Sequence, residues 1–234
     1  MLLYFMNNRE NMEMVDVFLM LFSYGVLLLV MLPIHEFAHG FVAHLCGDDT
    51  AKWHGRLSLD PFRHLDLWGS LMMLTIGIGY AKPVPVNTRN LRNYKRDTLL
   101  VSLAGPASNL LMAYVSVLIF RICYVFVSDG EVLFWLWMTL VNIIASVNIS
   151  LMVFNLLPIP PLDGSRLWSR LLPTKWGVAL EQYSRYIAIG LFVAVFAGLL
   201  DGPLSLLNNA VGGLIGYGVG LPGVFNPYTI FSFG

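Results

Sequence analysis

Two histidines and a glutamate in the sequence have the spacing needed for metal-dependent hydrolysis. His35 and His39 are four residues apart, and Glu36 follows the first of them directly. On an α-helix of about 3.6 residues per turn, side chains at this spacing lie on one face, so both imidazoles could bind one tetrahedral zinc ion. A glutamate between them would be close enough to act on a water bound to that metal.

The residues around this group place it inside a membrane. Residues 14–46 form an almost entirely apolar run, longer than the roughly 20 residues that a helix needs to cross a bilayer. Ionisable side chains at that depth are costly unless they are paired or coordinated, which favours a functional site over a polar cluster that merely joins helices. Pro33 predicts a kink or a local opening just before His35.

Composition predicts the class of protein. Hydrophobic residues make up 57% of the chain and charged residues 12%, whereas a soluble domain has roughly 45–50% and about 25%. The chain is therefore predicted to be an integral membrane protein. Its net charge of zero argues against binding of nucleic acid.

The apolar runs predict an all-α, polytopic membrane protein with four or five transmembrane helices, or at most six. We treat residues 1–234 as one membrane-embedded domain, with a catalytic core at about 14–172 and C-terminal helices at about 185–234. The charge-free tail from residue 202 could be a span or an interfacial segment. The predicted spans are residues 14–46, 98–127, 134–157 and 185–200.

The stretch 65–86 is too short and too rich in glycine and proline for a spanning helix. We expect strands or a short re-entrant β-hairpin there, which could present an edge to an extended peptide. Lys82 and Pro83 are the candidate substrate-binding residues of this stretch. The alternative is that residues 81–86 form only a stiff loop.

The basic residues predict the orientation in the membrane. Eight lysines and arginines lie between residues 47 and 97 and four between 158 and 185, but none lies in the turn 128–133. The positive-inside rule then places the first two segments in the cytoplasm. Both the His35–His39 stretch and Asp163 would lie towards the cytoplasmic side.

A catalytic zinc usually has three protein ligands, so a third must come from elsewhere. His44 follows His39 by five residues, about 140° around the helix, and faces away. His54 and His64 lie in a polar loop where solvated histidines are common. Asp163 follows three prolines that prevent the preceding helix from continuing, and it is our choice for the third ligand, although it could also be a helix N-cap.

Four motifs in order resemble the site-2 protease family of intramembrane zinc metalloproteases, over roughly residues 30–170. The motifs are His35-Glu36-x-x-His39, Gly79-x-Ala81-Lys82-Pro83-Val84-Pro85-Val86, Gly105-Pro106-x-x-Asn109, and Asn155 eight residues before Leu162-Asp163-Gly164.

This resemblance implies one Zn²⁺ per chain, bound by His35, His39 and Asp163, with Glu36 as the catalytic base. It implies that Asn155 stabilises the oxyanion, while Asn109 serves architecture more than chemistry and is only a weak candidate for substrate binding. Either asparagine could instead form interhelical hydrogen bonds. The expected substrates are transmembrane proteins, and the six-residue connection between the second and third core helices excludes the PDZ domain of larger relatives. We expect a bacterial or archaeal plasma membrane.

Three other functions have to be weighed against proteolysis. A metal-ion transporter would also need histidine and aspartate at membrane depth, but it would line its path with more polar residues. A non-catalytic scaffold would be expected to have lost Glu36 or a ligand. A non-haem iron site uses two histidines and a carboxylate as well, but the position of Glu36 favours hydrolysis.

Overall fold

The computed structural model describes residues 14–76, 81–126 and 132–220, and none of these residues lies in a β-strand. A π-helical turn, Leu27–Met31, joins the first two helices, and a 3-10 turn covers Pro61–Arg63. The helices are α1 (Met14–Val26), α2 (Leu32–Leu45), α3 (Thr50–Trp53), α4 (Leu67–Ile76), α5 (Tyr94–Phe126), α6 (Val132–Asn155), α7 (Asp163–Leu171), α8 (Thr174–Gln182), α9 (Ser184–Phe196) and α10 (Asp201–Gly218). The chain forms two compact units, one ending at Asp97 and the other beginning at Thr98.

The helices support the prediction of a helical membrane protein. Among the described residues, two helices are long and apolar enough to cross a bilayer, Val17–Leu45 and Tyr94–Cys123. A third crossing would require Lys175–Gln182 and Ser184–Val195 to act as one span, bent by 71° at their junction. The larger number of spans expected from the sequence stays a prediction.

The helix that carries His35 departs from α geometry one turn earlier. The Leu32 amide donates to the carbonyl of Leu27, five residues back, which defines the π-helical turn. Pro33 follows at once; it has no amide hydrogen, and its ring crowds the preceding turn. The irregularity predicted from Pro33 therefore lies at Leu27–Met31.

Glycine ends this helix and turns the chain towards the next segment. Gly47 has a φ of +107°, a backbone angle that residues other than glycine rarely adopt. The Gly47 amide donates to the His44 carbonyl at 3.0 Å, and the Asp48 amide donates to Ala43 at 2.9 Å. Asp48 is thereby turned inward and is fully buried.

The strand prediction for residues 65–86 is wrong at residues 67–76, which form helix α4. The Asp66 carboxylate accepts a hydrogen bond from the Gly69 amide at 2.9 Å, which caps a run of leucine and methionine, good helix formers. Residues 77–80, where a hairpin would turn, lie outside the described residues. Residues 81–87 have no regular secondary structure.

The second unit has a core of small and branched side chains on its long helices. Ala113 and Val117 of α5 are fully buried, and α6 and α10 contribute further core residues. Helix α6 contributes Ala145, Ile149, Met152 and Val153. Helix α10 contributes Ile215, and Val219 lies just past its end. Prolines at 158, 160 and 161 follow α6, so the chain makes a short non-helical turn before α7 begins at Asp163.

Candidate active site

The two histidines of α2 converge on one point. Their Nε2 atoms are 3.1 Å apart, and the ring planes are inclined by 78°. Both side chains are buried, with 4% of His35 and 7% of His39 exposed. Two zinc–nitrogen bonds of about 2.0–2.1 Å at a tetrahedral angle would separate the nitrogens by about 3.3–3.4 Å. The pair therefore fits a shared zinc ion.

Glu36 is half-buried beside this pair and is held by a backbone amide from a distant segment. Its Oε2 accepts a hydrogen bond from the Val84 amide at 2.8 Å. Val84 lies between Pro83 and Pro85, which fix their own φ angles and push the residues before them towards extended backbone. The proline pattern thus presents a single amide to the carboxylate.

Asp163 is the first residue of α7 and is half-buried. The N-cap position is occupied by Leu162, so the alternative that Asp163 caps this helix is wrong. A negative charge in the first turn is favoured by the helix dipole. The next residue is Gly164. Only glycine fits there, because a β-carbon would lie 2.3 Å from the carbonyl oxygen of Leu157.

These three side chains have the composition of a metal site. His35 and His39 of the first unit offer two imidazole nitrogens, and Asp163 of the second unit offers a carboxylate oxygen. Two imidazoles and one carboxylate match a catalytic zinc set, which leaves a fourth position for water or substrate.

The other predicted residues have varied environments. Asn155 is the last residue of α6 and is half-buried, whereas Asn109 on α5 is completely buried. Lys82 and Pro83 are exposed. The Lys82 amide donates to the backbone carbonyl of His64 at 2.8 Å.

The remaining histidines are engaged elsewhere. His44 Nδ1 contacts the Asp49 carboxylate, and His54 Nδ1 contacts the Thr50 carbonyl at 2.8 Å. The expectation that His64 is solvated is wrong, because it is fully buried with Nε2 2.7 Å from the Ser58 carbonyl oxygen.

Sequence reasoning missed two features of this region. The first is the Val84 amide as the partner of Glu36, 48 positions away. The second is Asp48, a buried carboxylate that accepts several hydrogen bonds. The only local signal for the second is Gly47-Asp48 directly after the apolar run 14–46, a pair that by itself indicates no more than the end of a helix.

Comparison with known proteins identifies the family. A family model described as peptidase family M50 matches residues 119–199, which include Asn155 and Asp163. YwhC of Bacillus subtilis, named as a zinc metalloprotease, is 38% identical over 169 residues, covering 69% of this chain and 74% of that protein. Rip2 of Mycobacterium tuberculosis strain H37Rv, also named as a zinc metalloprotease, is 34% identical over 180 residues, covering 74% of this chain and 66% of that protein.

More distant similarity extends to an archaeon. A protein of Methanocaldococcus jannaschii, again named as a zinc metalloprotease, is 27% identical over 157 residues, covering 65% of this chain and 73% of that protein. No solved structure gives a significant match. The resemblance drawn from the motifs is confirmed, and the chain belongs to peptidase family M50, the site-2 protease family of membrane-embedded zinc metalloproteases.

Proposed function

We propose that this protein is an intramembrane zinc metalloprotease that hydrolyses peptide bonds in or near the transmembrane segments of other membrane proteins. The observation that carries the proposal is the buried pair His35 and His39, whose Nε2 atoms lie 3.1 Å apart, with Glu36 next to the first histidine. Asp163 supplies the carboxylate that completes the set of zinc donors. Family membership supports the same chemistry.

One zinc ion per chain would be bound by His35 Nε2, His39 Nε2 and a carboxylate oxygen of Asp163. The 3.1 Å separation of the two nitrogens supports this assignment. When bound, zinc supplies a Lewis acid that polarises a carbonyl and lowers the pKa of water towards about 7. Asp163 contributes the negative charge that the two neutral imidazoles lack.

Glu36 acts as the general base in this proposal. The Val84 amide occupies Oε2 at 2.8 Å and fixes the orientation of the carboxylate. We assign proton transfer to Oε1, which takes a proton from water and returns it to the leaving amine. Fixing one oxygen orients the other and reduces the reorganisation needed during the reaction.

The two asparagines have different assignments. Asn155 lies at the end of α6, eight residues before Asp163, and its Nδ2 would donate to the developing oxyanion. Asn109 is completely buried on α5, which supports an architectural role more than a contact with substrate.

Residues 81–86 are the candidate binding segment for substrate. Lys82 and Pro83 are exposed next to Val84, which contacts Glu36. Prolines 83 and 85 have no amide hydrogen, so a peptide lying along them can only donate to their carbonyl oxygens. The substrate must be extended there, because a helix keeps its own amides in internal hydrogen bonds.

We infer a multi-pass arrangement in a plasma membrane with the site towards the cytoplasm. The support is the charge pattern, with eight basic residues between 47 and 97. The exposed basic residues of this segment suit anionic headgroups.

The test is cleavage of a panel of single-span membrane proteins by the purified protein in lipid nanodiscs, with mass spectrometry of the products. We expect cleavage by the wild type and at least about a thousandfold loss in Glu36→Gln, which keeps the size of the side chain but cannot accept a proton. Full activity of Glu36→Gln would refute the proposal. Zinc that passes through the protein without a stoichiometric bound ion would point to a transporter.

A further inference from the structure

The segment 81–87 is attached to the first unit through three of its backbone amides. The Lys82 amide donates to the His64 carbonyl, and the Val84 amide donates to Glu36 Oε2, both at 2.8 Å. The Asn87 amide donates to Asp48 Oδ2 at 2.7 Å. The same short segment therefore connects a carboxylate of the active site with a second carboxylate that the chemistry does not use.

Asp48 is built into the protein as a hydrogen-bond acceptor. It is fully buried, and its Oδ1 accepts from the Thr50 amide at 3.1 Å, from the Thr50 hydroxyl and from Asn90 Nδ2 at 2.8 Å. Burial by itself would raise the pKa of Asp48, but the hydrogen bonds from Thr50, Asn90 and Asn87 outweigh it and hold the pKa below its usual range. The buried group is a charged and well-satisfied carboxylate at neutral pH.

Side-chain packing fixes the middle of the segment, at Val84. A β-carbon at Gly40 would lie 3.1 Å from Val84 Cγ1 and 3.2 Å from Ala51 Cβ, so Val84 lies directly against α2 one residue beyond His39. The side chain of Val84 is only 8% exposed. Val84 has little freedom, and Asn87, three residues later, sets how far along α2 the segment lies.

We propose that Asp48 is a positioning residue for the reaction: through the Asn87 amide it holds segment 81–87 where the Val84 amide binds Glu36. This inference rests on the proposed role of Glu36 as general base. Asp48 touches neither metal nor substrate and acts only through the backbone between Asn87 and Val84. Loss of its bond to Asn87 lets the segment shift, so that Glu36 loses its fixed orientation.

Asp48→Asn is a precise probe of this link. The variant keeps the side-chain volume and one oxygen for Thr50 and Asn90, but it replaces the acceptor facing the Asn87 amide with an NH₂ group. The same bond can be removed from its other end by Asn87→Pro, which lacks the amide hydrogen. Asn87→Ala is the matched control, because it changes the side chain but keeps that amide.

The primary readout is hydrogen exchange of the full-length protein in nanodiscs without substrate. Prolines at 83 and 85 leave few exchanging amides in a peptide covering residues 81–87, so that Val84 and Asn87 can be followed. We expect Val84 to exchange at least about tenfold faster in Asp48→Asn and in Asn87→Pro than in the wild type. Asn87→Ala and Asp60→Asn, an exposed aspartate that caps the 3-10 turn, should match the wild type.

Activity provides the second readout. We expect kcat to fall about tenfold in Asp48→Asn and Asn87→Pro, with Asn87→Ala within about twofold of the wild type. Equal behaviour of Asn87→Pro and Asn87→Ala would overturn the proposal, as would unchanged protection of Val84 in Asp48→Asn. If Asp48→Asn does not fold, the comparison of Asn87→Pro with Asn87→Ala tests the proposal by itself. Full activity of Glu36→Gln would refute the proposed function separately, because the exchange measurement needs no catalysis.

Discussion

Around Glu36, carboxylates hold backbone amides in place, whereas around Asp163 the backbone is held by close packing of glycine. In the first region, Glu36 and Asp48 accept the amides of Val84 and Asn87. In the second region, Gly164 lies so close to the preceding turn that a β-carbon would be 2.3 Å from the Leu157 carbonyl oxygen.

The contrast shows that the two regions should fail in different ways. Hydrogen bonds to charged groups depend on the acceptor and on pH, and a changed acceptor alters position while the fold survives. Close backbone packing depends on volume, because an added methyl group would meet backbone atoms instead of a flexible side chain that can move aside. Substitutions that change a hydrogen-bonding group should therefore be most informative in the first region. Substitutions that change side-chain volume should be most informative in the second.

Among substitutions that keep Glu36 and the zinc ligands, the largest expected effect tests the chemistry assigned to the second region. Asn155→Ala should lower kcat by about 10²–10³-fold while KM and thermal stability change little, because an oxyanion donor acts mainly in the transition state. Steady-state kinetics on a membrane-protein substrate and a melting curve measure both. Asn209→Ala, an exposed asparagine on α10, is the control. A fall in Tm that accounts for the lost activity would assign Asn155 to structure instead.

Gly164→Ala tests the packing of the second region directly. The added methyl group has to displace the backbone of Leu156 and Leu157, so we expect about a hundredfold loss of activity together with a fall in Tm of at least about 5 °C. Gly190→Ala on α9 has nothing within 4 Å of the new methyl group and should leave both unchanged or slightly raise Tm. A Gly164→Ala protein with normal activity would break the comparison.

Gly40→Ala applies the same change of size to the first region. Here the nearest atoms belong to the side chains of Val84 and Ala51, which need to move only by a few tenths of an ångström. We expect about a three- to tenfold loss of activity and a smaller change in Tm than for Gly164→Ala. Gly25→Ala, with open space around the methyl group, is the matched control. A greater loss in Gly40→Ala than in Gly164→Ala would reverse the assignment of the two regions.

The smallest expected effect is a dependence of the stability of the fold on pH. The folded-state pKa of Asp48 lies below the usual value of 3.8, so its carboxylate stabilises the fold above that value and loses this contribution as the pH falls through the lowered pKa. The difference in Tm between the wild type and Asp48→Asn should therefore be constant from about pH 7 to about pH 5 and shrink below pH 3.8. A difference that grows on acidification would contradict the charged state of Asp48.

The parts of the molecule that depend on local sequence were predicted best. Apolar runs predicted helices at 14–46, 98–127 and 134–157, and the structure has helices ending at Leu45, Phe126 and Asn155. Periodicity also predicted that His35 and His39 share a face. These features depend on residues a few positions apart, where helix geometry is decisive.

The features that were missed depend on contacts between distant residues. The local sequence predicts strands where helix α4 forms, because glycines and prolines on its C-terminal side outweigh Asp66, a cap residue. His64 was expected to be solvated, although tertiary packing buries it completely. The bonds from Val84 to Glu36 and from Asn87 to Asp48 join residues 48 and 39 positions apart, and nothing in the local sequence specifies such a pairing.

The most direct test of the metal site is zinc content together with X-ray absorption at the zinc edge, measured on the purified wild type and on Asp163→Ala. The account predicts one zinc per chain, bound by two imidazole nitrogens and a carboxylate oxygen at about 2.0–2.2 Å. It also predicts at least about a tenfold loss of bound zinc in Asp163→Ala, as in His39→Ala, while His54→Ala keeps the full complement. One zinc per chain with an unchanged ligand set in Asp163→Ala would contradict it.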